Sequence, residues 1–351
     1  MRHIIFGESH GPAIGVVLEQ VPSGILLDEG EIAREMARRA PGKSALSTAR
    51  KEKDIPRILS GVFQGRTTGT PLCAVIENSD QHSRDYEKTR HLARPSHGDY
   101  TGHLRYQGCN DYRGGGHFSG RLTAPLVFAG AVAKQILAPR GICVGAHIRQ
   151  ISDVKEGSFT EKDLTAERFR QVSGKAFPTL DDALGEAMQA RILEARQEQD
   201  SVGGIIECAV IGVPAGVGAP DFGRNVEGIF SQHLFAVPAV KGVSFGAGFA
   251  LAEMRGSEAN DPFYMEAGQV RTRTNHSGGV NGGITNAMPI LFQVVMRPTP
   301  SIGREQDTIN MNTLTDAKLT IQGRHDPCIV HRAVPVIEAA AALAVCELLG
   351  I

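Results

Sequence analysis

Apolar positions fall into short and long runs. The short runs, bounded by Gly, Pro and polar residues, predict strands at 14–21, 72–77, 142–149, 205–213 and 287–297. Pro22-Ser23-Gly24 stops the first of them. Two long runs predict buried helices: 122–137 (LTAPLVFAGAVAKQIL) is apolar nearly all round, with Pro125 in its first turn, and 335–349 is alanine-rich and opens at Pro335. Two further helices are amphipathic. The first, 29–40, has Asp28 as its cap, Ile32 and Met36 on one face and Pro41-Gly42 beyond its end. The second, 180–199, starts at Thr179 and Asp182, which resemble a capping box. Residues 78–93 are polar and aperiodic, long for a plain connection. The polar segment 150–178 carries no readable period, and 240–283 is glycine-rich.

One echo runs through the pattern. VVLEQVPSGI (16–25) and CAVIGVPAGV (208–217) both read strand, Val-Pro, small residue, Gly. Pro125 and Pro335 each open an apolar helix after an arginine-bearing motif. This suggests a two-fold repeat of strand, connection, motif and helix, with chance similarity of apolar strands as the competing reading.

Composition narrows the class. A chain of 351 residues, 41% hydrophobic and 21% charged, has ample length for a globular core. A net charge of −1 gives no general pull toward nucleic acid or membrane, so any anion site must be local. Six scattered cysteines without a CxxC pair argue against a zinc ribbon or redox motif and fit reduced thiols; no metal is expected. The opening MRHIIFGESHG lacks a long apolar run, and no run approaches a membrane span, so a cytoplasmic location is expected.

The densest chemistry lies at 94–121, RPSHGDYTGHLRYQGCNDYRGGGHFSGR. Arg94, Arg105, Arg113 and Arg121 alternate there with His97, His103 and His117, and Gly114 to Gly116 follow Arg113 directly. Adjacent glycines let the backbone take positive φ and approach a ligand. Guanidinium forks suit phosphate and carboxylate. A solvated basic loop is the bland alternative, weakened by the mixture of residue types. Elsewhere, FGESHG (6–11) puts Glu8 and His10 in a glycine-bounded turn, where a histidine taken alone is more often structural. Arg38 and Arg39 end the first helix, and such residues can simply complement its dipole. Gly42-Lys43-Ser44 is no P-loop, because Ala37 stands where that motif needs glycine. Neither Gly246-Ala247-Gly248 nor 275–283 fits a Rossmann fingerprint.

Six motifs together resemble the chorismate synthase family: FGESHG, RRAPG (38–42), RPSHGDY (94–100), DYRGGG (111–116), NHSGGVNGG (275–283) and GRHDPC (323–328). They occur in the family's order and span nearly the whole chain. The resemblance implies a single catalytic domain over 1–351, with an α+β layered β-α-β sandwich of core helices between antiparallel sheets, and a homotetramer. It implies a lyase of the shikimate pathway that converts 5-enolpyruvylshikimate 3-phosphate to chorismate and phosphate. It also implies reduced FMN as an obligatory cofactor without net redox change; as the chain has no nicotinamide fingerprint, NADPH is expected only as an indirect reductant, through a separate flavin reductase. Catalytic roles fall on His97 (protonating the departing phosphate), His10 (at the reduced flavin) and Asp326 (acting through flavin N5). Substrate contacts fall on Arg39, Arg50, Arg94, Arg121 and Arg324. Flavin contacts fall on His117, Phe118, Ser119, Ala239, Gly282, Arg297, Pro298, Thr299, Pro300, Ser301 and again Arg324. The chain departs from the family pattern at His117 and Phe118, at Ala45 and at Pro238.

The rivals are an NAD(P)H-dependent flavin reductase, a non-catalytic anion-binding relative and an RNA-binding module. No nicotinamide fingerprint, RNP or KH motif supports the first or the last. His10, His97 and Asp326 all being present speaks against the second.

Overall fold

The computed structural model describes residues 1–42, 46, 52–79, 87, 89–321 and 326–351. The first half runs β1 (Arg2–Gly7), β2 (Ala13–Glu19), α1 (Glu29–Arg39), β3 (Arg57–Ser60), the hairpin β4–β5 (Val62–Phe63, Arg66–Thr67), β6 (Leu72–Glu77), α2 (Asp99–Arg105) and α3 (Thr123–Leu137). Then come β7 (Cys143–Ile151), β8 (Val154–Lys155), α4 (Ala166–Ser173), α5 (Asp182–Gln197), β9 (Gly204–Ile211), α6 (Val226–Phe235), β10 (Val240–Phe245) and the single turn α7 (Gly256–Ala259). The hairpins β11–β12 (Phe263–Glu266, Gln269–Thr272) and β13–β14 (Val280–Asn281, Ile284–Thr285) follow. The chain closes with β15 (Ile290–Met296), the hairpin β16–β17 (Gln306–Asn310, Thr315–Leu319) and α8 (Val330–Leu348). The fold is α+β.

All strand pairs in the two larger sheets are antiparallel, in the orders β1-β2-β6-β3 and β10-β15-β9-β7-β8. In β2, Ile14, Val16 and Leu18 alternate into the interior, as half-buried strands require. In β9, Ile206, Cys208 and Val210 face one side while Glu207 and Ala209 face the other, and all five are buried. Helix α8 packs against β7 and β9, and α4 lies against β7. Phe169 of α4 fills the space that Gly145 leaves on β7.

The core centres on α3 and α8. Nearly every side chain of both is buried, and both consist largely of small residues. The two helices meet where a Cβ on Gly130 would stand 2.2 Å from the Cβ of Ala339. Helix α3 also touches β2 and β6, while α6 and α1 pack on α8. With short 3₁₀ turns at its ends, α3 extends to Gly120–Arg140, long and apolar enough to cross a membrane, contrary to the expectation from apolar runs. It lies mostly inside the protein.

Two buried carboxylates and two half-buried cations meet where α1, α3 and α8 come together. Arg38 reaches Glu338 (2.6 and 2.8 Å) and Glu35 (2.9 Å), and Lys134 reaches the same two carboxylates (2.5 and 2.8 Å). Against the burial that would raise it, Arg38 and Lys134 hold the Glu338 carboxyl down at about 2. Arg38 therefore locks helices together rather than merely ending one.

One turn is built twice. Thr67 Oγ1 donates to Pro22 O (2.5 Å) and accepts from Ile25 N (3.0 Å), while Gly24 N donates to Thr67 O. Thr285 Oγ1 likewise donates to Pro214 O (2.6 Å) and accepts from Val217 N (3.0 Å), while Gly216 N donates to Thr285 O. The adjoining hairpins take positive φ at Gly61, Gln64 and Gly65 in one and at Gly279, Gly282 and Gly283 in the other.

Several expectations shift. The N-cap of α5 is Asp181, which accepts from Leu184 N (3.0 Å); Thr179 and Asp182 form no capping box there. Helix α8 begins at Val330, so Pro335 lies inside it. Segment 150–178 contains α4, and residues 2–7, not singled out in the pattern, form β1.

Candidate active site

The site is assembled where the 8–11 turn, the end of α1, the 94–99 turn and the entry to α3 converge. Gly114, Gly115 and Gly116 all have positive φ (60°, 89° and 52°), a conformation that favours glycine. A Cβ on Gly114 would lie 2.2 Å from His10 Nδ1, and one on Gly115 would lie 3.2 Å from His97 Nε2. The two histidines thus sit against consecutive residues of one glycine saddle. Ser9 N donates to Gly116 O (3.1 Å), which ties the 8–11 turn to it.

Arg39 and Arg121 form the buried cationic floor. Asp54 lies between them, 2.5 Å from Arg39 Nη1 and in direct contact with Arg121 Nη1. Arg39 also donates to Thr123 Oγ1 (3.1 Å) and Gly120 O (3.2 Å). Burial draws the Arg39 guanidinium down to about 10, opposed by Asp54 and reinforced by Arg332 and Arg121. Burial would raise the Asp54 carboxyl, but the two arginines hold it below the usual range. Arg121 Nε donates to Asn78 Oδ1 (2.9 Å), and Asn78 Nδ2 donates to Glu8 O (3.0 Å) and Gly11 O (2.8 Å). One amide therefore couples the floor to the turn that carries His10.

On the rim, Arg94 grips Asp99 through Nε and Nη2, both at 2.7 Å, and His97 Nδ1 lies 2.8 Å from the same carboxylate. Asp326 is held by Arg332 Nη1 (3.1 Å to each oxygen), and Arg332 Nε donates to Arg39 O (3.1 Å). Thr299 Oγ1 donates to Asp326 O (2.6 Å), which brings the 297–301 segment to this edge. A cleft of about 310 Å³ opens beside the saddle, lined by Glu8, Tyr106, Cys109, Asn110, Asp111, His117 and Phe118. Burial raises the Glu8 carboxyl there, with His117 opposing.

The hydrogen bonds and contacts above link His10, His97, Asp326, Arg39, Arg94 and Arg121. His117 Nδ1 donates to Gly7 O (2.9 Å), Phe118 packs over Gly98 and Gly102, and Ser119 Oγ accepts from Arg121 N (3.2 Å). Arg297 N donates to Ala239 O (3.0 Å), and Ala239 has positive φ (75°). Gly282 turns the β13–β14 hairpin, whose contacts run to 214–226 rather than to the saddle. Arg50 and Arg324, with Lys43 and Ala45, lie outside the described residues. Sequence reasoning passed over Asp54, Asp99, Asn78 and Arg332. Only Asp99 carried a signal, standing within the quoted RPSHGDY motif.

Four arginines with buried or half-buried counter-ions, facing two histidines, form the site of an enzyme that handles a multiply charged small anion. The chorismate synthase family model matches residues 1–349. A chorismate synthase of Thermococcus kodakarensis is 46% identical over 98% of this chain and 94% of its own length. One from Dehalococcoides mccartyi is 43% identical over 98% and 93%, and one from Korarchaeum cryptofilum is 44% identical over 99% and 95%. A crystal structure of a chorismate synthase superimposes with a TM-score of 0.75 at 27% identity, covering 99% of this chain and 91% of that one. The chain belongs to the chorismate synthase family, a family of carbon–oxygen lyases.

Proposed function

We propose that the site eliminates phosphate from 5-enolpyruvylshikimate 3-phosphate to give chorismate, with reduced FMN required but not consumed. The observation that carries this reading is the placing of His10 and His97 against adjacent glycines above the Arg39–Asp54–Arg121 floor. The substrate carries a phosphate and two carboxylates, roughly four negative charges, so several arginines are needed. Arg39, Arg94 and Arg121 supply them here, with Arg50 and Arg324 as further candidates from outside the described residues.

The described residues fit a flat ring with a phosphate tail. Glycines without side chains, the partly exposed Phe118 ring and the neighbouring cleft offer the space, and Glu8 Oε2 is a buried oxygen without a hydrogen-bond partner among the described residues. His117, Phe118, Ser119, Ala239, Gly282 and 297–301 are proposed to hold it, Gly282 with the least support from this chain's own contacts. Reduced flavin, when bound, supplies the electron density that makes expulsion of phosphate feasible where an unactivated C–H defeats an ordinary base. His97 Nε2 protonates the departing phosphate, His10 holds a proton beside the saddle, and Asp326, oriented by Arg332, serves in removal of the hydrogen. The arginines orient the anion and stabilise the charge that gathers on phosphate.

The wider reading is also proposed: one catalytic domain, a homotetramer, a cytoplasmic enzyme, and a separate reductase that draws on NADPH. We likewise propose a layered β-α-β sandwich built from a two-fold repeat. The duplicated Thr67 and Thr285 turns support it, as do the matched orders β1-β2-β6-β3 and β7-β9-β15-β10. A flavin reductase or a non-catalytic relative is not favoured.

The decisive assay is anaerobic, with purified protein, chemically reduced FMN and 5-enolpyruvylshikimate 3-phosphate. Equal yields of chorismate and phosphate, with flavin still reduced, are expected. Steady NADPH oxidation without chorismate would instead identify a reductase.

A further inference from the structure

We propose that Asp99 is a positioning residue: its carboxylate sets the tautomer and aim of His97 while fixing Arg94 beside it. The proposal deepens the reading above and rests on His97 as the proton donor to the departing phosphate.

Asp99 opens α2 and collects four donors from one turn. Arg94 N (3.0 Å) and Arg94 Nε (2.7 Å) reach Oδ2, while Arg94 Nη2 (2.7 Å) and His97 Nδ1 (2.8 Å) reach Oδ1. These contacts use the carboxylate's lone-pair directions, so it has little freedom to turn. Ser96 takes positive φ (58°) to close the turn that brings positions 94, 97 and 99 together. Hydrogen bonds from Arg94 and His97 hold the Asp99 carboxyl well below the usual range, against the burial that would raise it. Asp99 is thus a permanent anion.

His97 Nδ1 has two neighbours that demand opposite protonation. Arg94 Nη2, at 3.2 Å, could donate to a bare nitrogen; Asp99 Oδ1, at 2.8 Å, needs a proton between them. A bare lone pair that close to a carboxylate oxygen is repelled, whereas Nδ1–H makes a short charge-assisted hydrogen bond. The carboxylate therefore fixes the proton on Nδ1. Nε2 is left as the working nitrogen, and it faces Gly115, where a side chain would crowd it. As the substrate C–O bond breaks and its electron pair stays on phosphate oxygen, the imidazolium gives its Nε2 proton to that oxygen. The ring ends neutral, still holding Nδ1–H against an ionised Asp99, and no proton reaches the carboxylate. Arg94 shares the carboxylate, so substrate cation and proton donor keep a fixed spacing.

The test begins with the wild-type protein. In ¹⁵N-histidine NMR, with the His97 signal assigned by its loss in His97→Gln, the neutral ring should carry its proton on Nδ1. Asp99→Asn should keep the circular dichroism spectrum and FMN binding, shift the ring toward Nε2–H, and lower kcat by at least about 10-fold, and by up to about 10⁴-fold if the tautomer is lost completely. KM should change less than kcat. In the His97→Gln background the same replacement should lower kcat no further. A wild-type proton on Nε2, or an Asp99→Asn loss confined to KM, would overturn the assignment. Normal kcat in Asp99→Asn beside an inactive His97→Gln sinks this proposal alone. Near-normal kcat in His97→Gln removes the reading underneath it, and this proposal falls as well.

Discussion

Arg39 and Arg121 are cations held almost entirely away from water; Asp54 lies against both, and Glu52 stands 3.8 Å from Arg121. Removing one partner of a buried ion pair costs roughly 3–5 kcal/mol, because the remaining charge is stranded. Asp54 also has positive φ (50°), which Asn tolerates, so Asp54→Asn isolates the charge. Its urea unfolding free energy should fall by about that amount; a loss under about 1 kcal/mol would mean that other groups neutralise the arginines. For the chemistry, His10→Ala and His97→Ala should each lower turnover by at least about 100-fold with the fold intact, as loss of a positioned acid or base does. Near-normal turnover in either would remove that residue's role. The arginines and histidines were legible in the sequence because forks and imidazoles within glycine-rich motifs suit few other purposes. Their carboxylates were not. Asp54 is 15 positions from Arg39 and 67 from Arg121, and nothing local to an aspartate tells which cation it will face.

Helices α3 and α8 approach closely because Gly130 has no side chain. Gly130→Val should destabilise the protein by about 1–3 kcal/mol through overpacking, and Ala339→Gly in the same chain should recover part of the loss in denaturant titrations. A second device lies on the far face of the five-stranded sheet, where buried His147 sits between Glu156 (2.5 Å) and Glu207 (3.0 Å). Burial lowers its basicity, but the hydrogen bonds its ring donates to the two carboxylates outweigh this, so its pKa in the fold is raised above the ordinary 6.5. A raised folded pKa contributes stability that is fully present below the unfolded value and is lost as pH rises through the folded one. Unfolding free energy should therefore decline from about pH 6.5 upward, relative to His147→Gln, whose difference from wild type should shrink over that range. A constant difference would show that the histidine does not titrate there. Both long apolar helices were legible because continuous burial leaves a continuous apolar run. The start of α8 was not: residues 330–334 include His331 and Arg332, and a helix that tolerates Pro335 internally looks in sequence as though it begins there. Segment 150–178 was unreadable because its buried aromatics, Phe159, Phe169 and Phe177, stand too far apart to show a period.

Across the molecule, the site and its supports draw on both ends of the chain. Arg38 meets Glu338 across 300 positions, and Arg332 reaches the Arg39 carbonyl across 293. Helices α3 and α8, far apart in sequence, pack on each other at the centre of the core. Contacts so distant in sequence fold slowly, because loop closure must precede any gain from the contact. During synthesis, moreover, the first 320 residues already contain FGESHG, RPSHGDY and DYRGGG, yet lack the helix that neutralises Arg38 and braces Arg39. A ribosome-stalled chain ending before α8 should be open to limited proteolysis and turn over no substrate, although His10, His97 and the glycine saddle are all present. Allowing the chain to extend through α8 and clear the ribosome should restore both protection and turnover. Competence thus waits on α8, and a chain interrupted before it should hold the site's residues without the site's activity.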